Sequence, residues 1–403
     1  MGDAQCISAG AAMIDKVSGA LSPRYDPRGW MQWPDNEPYC FQFMKVLGAA
    51  QEGGSTISEC FLTATRITPG DDDSWYQEWK GIADANMERG NVALTRGNVG
   101  TAQSNWLRAS NYYRTAELLL KLDDSRRNRV LELMRTCSHL YLKHLIPAGE
   151  MVRIPCSGGR FLEGYFLRAP GAAGRTPVVI CIGGPDHFKD EHLYKMPRHA
   201  HARGLSLLLV DLPGQRSTGS TKHPWPHDIE TSISNCVDYL NDRGDVEDRQ
   251  IAIFGDGLGA SFASRAACLD DRFGAAVCDG GIWDLHERAF FAQWTSGRGG
   301  RKSIKEDIHR VSHRIAKRIN CPILVVLGEH DFLDASYAAD FCKALKEAGL
   351  DITLRVFSAT ETAASHAQID NPTIGNEVIF DWIAARLHQR REQIYSVETM
   401  TVR

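Results

Sequence analysis

The residues with the clearest chemical potential are Gly257, Asp331 and His366. They occur in an order and a setting that acyl-transfer sites use. The run Ile251-Ala-Ile-Phe-Gly255-Asp256-Gly257-Leu258-Gly259-Ala260 takes a β-rich segment straight into Gly-x-x-x-Gly, and Ser261–Cys268 then reads as a helix. A strand, a sharp turn and a helix form the setting of a nucleophile elbow, with small residues at both flanks and the reactive side chain at the tip. The tip is normally Ser, Cys or Asp; here it is Gly257, which tolerates the strained backbone but brings no side chain. Asp331 follows the apolar run Ile323–Leu327, and His366 follows Thr353–Phe357. Tip, acid and base thus stand in the chain order of an α/β hydrolase. Asp334 is the weaker competitor for the acid.

Other readings of the glycine turn fit less well. A phosphate loop lacks its Lys-Ser/Thr ending, and a dinucleotide loop would follow the first strand rather than a late one. Taking Asp256 as nucleophile would put Phe254 where a small residue is needed. A purely structural turn remains open. The early run Val178–Ile182 ends in Gly183-Gly184-Pro185-Asp186. A turn there commonly lends one N–H to an oxyanion hole, and the residue after the tip lends the other. Pro185 has no N–H, so Leu258 and Gly184 are the expected donors, with Asp186 as the alternative to Gly184. A carboxylate such as Asp186 near His366 would favour the imidazolium.

These residues need a frame. Ser157-Gly158-Gly159 separates two strand-like runs, Met151–Pro155 and Phe161–Arg168, as a hairpin would. Further runs at 178–182, 205–210, 251–254, 275–278, 323–327 and 353–357 alternate with helical segments, among them Asp228–Leu240 with Asp228 at its N-cap. This predicts an α/β fold of the α/β-hydrolase type: a mostly parallel, doubly wound sheet with an N-terminal helical cap region. Residues 1–148 are expected to form the helical region and 149–390 the hydrolase domain. A lid insertion is expected at about 286–318 and a tail at 391–403. Helices are expected over Asn105–Leu122, Arg126–Leu145 and Gly375–Arg386, and residues 1–70 should hold short helices and loops.

The helical segment carries Trp75-Tyr-Gln-Glu-Trp79 and Asn105-Trp-Leu-Arg108-Ala-Ser-Asn111-Tyr112-Tyr113-Arg114. With Gly184-Pro-Asp186-His-Phe-Lys189-Asp-Glu191, Asp211-Leu-Pro-Gly214-Gln215 and Asp279-Gly-Gly281, these stretches give residues 74–390 a resemblance to the FrsA-like α/β hydrolases. That group includes 2,6-dihydroxypseudooxynicotine hydrolase and polyketide-shortening C–C hydrolases. The resemblance implies a helical cap over the triad and cleavage of C–C bonds in ketones or β-diketones, or of esters. It further implies Asp331 and His366 as acid and base, and Asp186 as a carboxylate supporting the histidine. The departure is Gly257 where the family has serine.

Three explanations of Gly257 are open. In the first, His366 activates water or takes a proton from the substrate, which suits hydrolysis and equally a lyase or cyclase. In the second, a serine has been replaced in an inactivated variant. In the third, a binding protein has kept the pocket. The joint presence of Asp331, His366 and Gly183-Gly184 favours either catalysis or a recent engineered change over a binding protein, and the expectation is an enzyme. Arg108, Tyr112 and Trp283 are candidates for substrate binding, although most of Trp75, Trp79, Trp106, Tyr112 and Tyr113 should be packing core. For Arg108, hydrogen bonding between the helix and its surroundings is the plainer reading. Trp294 is a further pocket-wall candidate, and Arg298, Arg301, Lys302 and Lys305 read as a solvated lid face.

The 403 residues carry a formal net charge of −4, which points away from nucleic acid. No run approaches the ~20 apolar residues of a membrane span. The N-terminus has no basic leader followed by an apolar core. Eleven cysteines without a C-x-x-C pair suit free thiols in a reducing cytosol. His187, His192, His199 and His201 fit no zinc spacing. The expectation is a cytoplasmic enzyme with no cofactor or metal and a small-molecule substrate, compatible with a homodimer.

Overall fold

The computed structural model describes residues 32–33, 35–156, 159–215, 229–281 and 318–401. Most of the expected lid, with Trp283, Trp294, Arg298, Arg301, Lys302 and Lys305, lies outside the described residues, as does Asp228.

Five helices come first: α1 (Glu37–Gly48), α2 (Ile57–Ala64), α3 (Asp72–Thr95), α4 (Val99–Glu117) and α5 (Ser125–Lys143). Side-chain oxygens start four of them: Asn36, Thr56, Asp71 and Asp124 each accept a backbone N–H from the first turn, which satisfies donors the helix cannot. The helix expected over 105–122 begins six residues earlier and stops at Glu117. Its last turn had no glycine or proline to betray the end. Trp75, Trp79, Trp106, Tyr112 and Tyr113 are all buried in one helix-packing cluster, as their spacing implied.

An eight-stranded sheet follows: β1 (Glu150–Pro155), β2 (Phe161–Leu167), β3 (Thr176–Ile182), β4 (Ser206–Val210), β5 (Val246–Asp256), β6 (Ala275–Asp279), β7 (Ile323–Gly328) and β8 (Ile352–Phe357). Its order is β1-β2-β4-β3-β5-β6-β7-β8. The first two strands pair antiparallel, as β2 does with β4, and every later pairing is parallel. Between the strands come α6 (Lys189–Lys195), α7 (Pro197–His201), α8 (Ile229–Asn241), α9 (Gly259–Leu269) and α10 (Ala335–Glu347), and after the last strand α11 (Pro372–Thr401). Helix α11 starts before and ends well beyond the expected 375–386.

Strands β3 to β7 are buried on both faces, between one apolar cluster that includes α8, α9 and α10 and another that includes α6 and α11. This is why they read as unbroken apolar runs rather than alternating ones. A parallel sheet brings all its carboxyl ends to one edge, and ligands bind along such edges. Gly257, Asp331 and His366 follow β5, β7 and β8 on that edge.

Candidate active site

Strand β5 passes through Gly255 into the turn, and α9 begins at Gly259. A Cβ on Gly255 would stand 2.2 Å from the Gly259 carbonyl oxygen, so the turn closes only with small residues there. Gly257 has φ +58°, the left-handed region that costs other residues strain. Its N–H donates to the Asp279 carbonyl at 2.8 Å, which ties the tip to the end of β6.

His366 lies in a short 3-10 turn between β8 and α11. Its Nδ1 is 2.7 Å from Asp331 Oδ1, and the Asp331 side chain is fully buried. The pairing orients the ring so that Nε2 is directed at the elbow: a Cβ built on Gly257 would lie 3.4 Å from it. Burial opposes a charge on this imidazole, but Asp331, joined by Asp256 and Asp279, outweighs burial and holds its pKa above the ordinary value. Phe332 covers one side of the ring, with centroids 4.5 Å apart. Asp334 instead caps α10, accepting the Ser336 N–H.

The oxyanion turn departs from expectation. Gly184 does lie against Leu258: a Cβ on it would be 3.4 Å from the Leu258 nitrogen. Its N–H, however, already donates to His187 Nδ1 at 3.2 Å, so it is not directed into the hollow at Gly257. Leu258 is the N-cap of α9, so its N–H has no intrahelical carbonyl to meet. His187 is the residue the sequence reading missed, having weighed it only as a metal ligand. Its Cε1 lies 3.5 Å from the same Cβ point on Gly257. The signal was its place three residues after Gly184 in the turn already suspected.

The carboxylates with the largest part in raising the His366 pKa are Asp331, Asp256 and Asp279. Asp186 stands beside the His187 ring, and the positive charges of Lys45 and Arg114 help to offset its burial, so its own pKa lies below the ordinary range. Its backbone carbonyl accepts from Arg114 Nη2 at 3.4 Å. Asp256 and Asp279 stand on neighbouring strands. They are register partners on β5 and β6. Asp256 Oδ2 accepts from Lys195 at 2.7 Å, so this carboxylate is directed to α6 and not to the tip. Burial drives the Asp279 pKa far upward, and the charge of Asp256 adds to this while Lys195 opposes it.

The proposed binding residues on α4 engage the helical layer. Arg108 Nε donates to Asn86 at 3.0 Å with Glu59 at 3.9 Å. Tyr112 donates to Glu59 at 2.9 Å and accepts the Thr56 N–H. Both are satisfied by packing partners rather than brought to the elbow. Closer to the site, α1 presents Phe41, whose ring stands 5.8 Å from that of Phe332, and Lys45, which pairs with Glu191 at 2.8 Å. Among the described residues no cluster of three or more His, Cys, Asp or Glu side chains could hold a metal ion. None of their helices is long and apolar enough to cross a membrane.

The geometry has counterparts. The chain is 32% identical to Hydrolase LUC6 from Fusarium sp over 275 residues, 64% of this chain and 65% of that protein. It is 30% identical to 20-hydroxy-prefusarin hydrolase FUS2 from Gibberella moniliformis over 283 residues, 64% and 65% of the two. The match to these relatives thus spans slightly less than two thirds of their length. The crystal structure of 2,6-dihydroxy-pseudo-oxynicotine hydrolase superposes with a TM-score of 0.68 at 20% identity, covering 84% of this chain and 95% of that one. AbyA5 does so at 0.58 and 15%, covering 87% and 100%. Both share the fold. The prolyl oligopeptidase family matches residues 210–385. The esterase FrsA-like family matches residues 65–289, more than half of the chain, and the chain belongs to that family.

Proposed function

We propose that the chain is a cofactor-free enzyme that cleaves a C–C or ester bond of a ketone, β-diketone or ester of aromatic or polyketide type, with His366 as base and water in place of a serine. The observation that carries this reading is the direction of the imidazole. Nδ1 is held by Asp331, and Nε2 is 3.4 Å from the position a Cβ would occupy on Gly257. An imidazole held by a carboxylate at one nitrogen accepts a proton at the other. Water at the tip gives that proton to Nε2 while its oxygen bonds to the carbonyl carbon. The bond to the leaving group then breaks, and the leaving carbon or oxygen takes the proton back from the imidazolium. The products are a carboxylic acid and, from a β-diketone, a ketone; from an ester, an alcohol; from a simple ketone, the leaving carbon fragment bearing the returned proton. In this reading Asp331 orients the base, Leu258 N–H faces the developing oxyanion, and the N-terminal region 1–148 caps the 149–390 hydrolase unit. The names of the FrsA-like relatives support the hydrolytic class.

A second reading uses the same base without water. With no hydroxyl at 257, proton abstraction from the substrate leads to elimination or cyclisation. Two variants test the base and the bare tip that both readings share. His366→Ala should lower kcat on 1-phenylbutane-1,3-dione and p-nitrophenyl butyrate about 10³-fold or more, and unchanged turnover removes His366 from the chemistry. Gly257→Ser places a hydroxyl beside Nε2. An acyl-enzyme mass with the ester is expected, because the remaining machinery is that of a hydrolase.

A further inference from the structure

The turn after β3 holds a second imidazole at the tip, and the reading above gives it no task. His187 Nδ1 accepts the Gly184 N–H at 3.2 Å. A neutral histidine that accepts at Nδ1 carries its proton on Nε2. Burial pushes the His187 pKa down and Lys45 on α1 adds to this; Asp256 on β5, Glu191 on α6 and Asp186 in the turn work the other way without prevailing. His192 of α6 stands in the same surroundings, lowered to about 4 by its own burial. These surroundings favour the neutral form of the His187 ring.

Its Nε2–H has no hydrogen-bond acceptor at hand in Asp256. Oδ2 of that residue is 3.9 Å away, beyond hydrogen-bond range, and is taken by Lys195 at 2.7 Å. Cε1, the atom bonded to Nε2, is 3.5 Å from the Cβ point of Gly257. The ring also lines a cavity of about 30 Å³, together with Lys45, Glu191, His192, Lys195 and Asp256.

We propose that His187 is a catalytic residue of this site: its Nε2–H, with the Leu258 N–H, donates to the carbonyl oxygen that turns negative as the substrate reacts. The Gly184 N–H contributes at one remove, by fixing the ring that donates. A neutral imidazole stabilises an oxyanion or an enolate by hydrogen bonding without surrendering its proton. This suits substrates whose carbonyl oxygen holds charge through the reaction, such as β-diketones passing through an enolate. The inference rests on the proposed reaction at Gly257.

Two isosteric variants of the full chain test it. An Asn amide reproduces the Nδ1 end of histidine and a Gln amide the Nε2 end. His187→Asn should lower kcat on 1-phenylbutane-1,3-dione about 10²- to 10³-fold, the usual effect of losing one oxyanion donor, with KM nearly unchanged. His187→Gln should stay within about tenfold of wild type on the same scale. ¹⁵N spectra of histidine-labelled protein should show His187 neutral and protonated on Nε2 at pH 7. An unimpaired Asn variant, equal losses in both variants, or a proton on Nδ1 overturns the proposal. Loss in His187→Asn with full activity in His366→Ala would instead remove the base and leave the donor standing.

Discussion

Two imidazoles border Gly257, and they are held by opposite kinds of partner. On the β8 side, Nδ1 of His366 meets a carboxylate, and negative charge from Asp331, Asp256 and Asp279 lifts its pKa. On the β3 side, Nδ1 of His187 meets a backbone N–H, and burial with Lys45 lowers its pKa. The same side chain is thereby given two characters: one ring accepts a proton at Nε2, the other offers one there. What stands at the far nitrogen decides which. A pair of groups whose environments push their pKa values apart is a natural division of acid and base work.

The strongest way to break this contrast is at the carboxylate. Asp331→Asn keeps the shape but presents a donor to Nδ1, which turns the imidazole to the wrong tautomer; kcat should fall about 10⁴-fold. His366 must be unprotonated to act. Wild-type activity should therefore fall as pH drops through a pKa above the ordinary ~6.5, and the remaining activity of Asp331→Asn should show that limb at lower pH. A pH profile with the limb unmoved would mean that Asp331 does not tune the ring.

Gly280→Ala sharpens the same comparison from the β6 side. Its Cβ would stand 2.9 Å from His366 Cε1, at a φ of +92°. Displacing the imidazole by a fraction of an ångström should cost about 10²-fold in kcat, while the His187 resonances stay in place. If both rings shift together, they are one mechanical unit and the division drawn above is lost.

The smallest effect concerns stability. The buried Asp279 carboxyl has a pKa raised above its unfolded value, so the stability it contributes is full at acid pH and is lost as pH rises through the raised value. Asp279→Asn, neutral at every pH, should therefore raise Tm by a few degrees at about pH 8 and little at about pH 5. An equal change at both pH values would show that the carboxyl is already charged in the fold.

The backbone of this site was readable in the sequence because it depends on local rules. Strand-to-turn punctuation located Gly257, and strand ends located Asp331 and His366. The α/β-hydrolase architecture and the FrsA-like family both stand. What was not readable depends on partners distant in the chain. For Arg108 and Tyr112 the sequence leaves a pocket role open beside the plainer packing one, because Glu59, which engages Tyr112 and approaches Arg108, lies about fifty residues away. Gly184 looked like an open donor because nothing in its composition says that the His187 ring folds back onto it. Asp256 and Asp279, which carry a large part of the field on His366, drew no notice in that role because only strand register brings them together.

The contact between Gly48 and the loop after His366 has a consequence for how the site can be taken apart. A Cβ on Gly48 would stand 1.9 Å from the Ile369 carbonyl oxygen, so the end of α1 lies backbone against backbone on the segment that carries the base. Gln51 adds a hydrogen bond to the Asp370 carbonyl, and Glu52 accepts one from Thr373. A truncated chain starting at the first strand would keep every residue of the triad positions and still lose the clamp that seats one of them. The working unit therefore begins upstream of the sheet, at the short helix where the sequence was hardest to read.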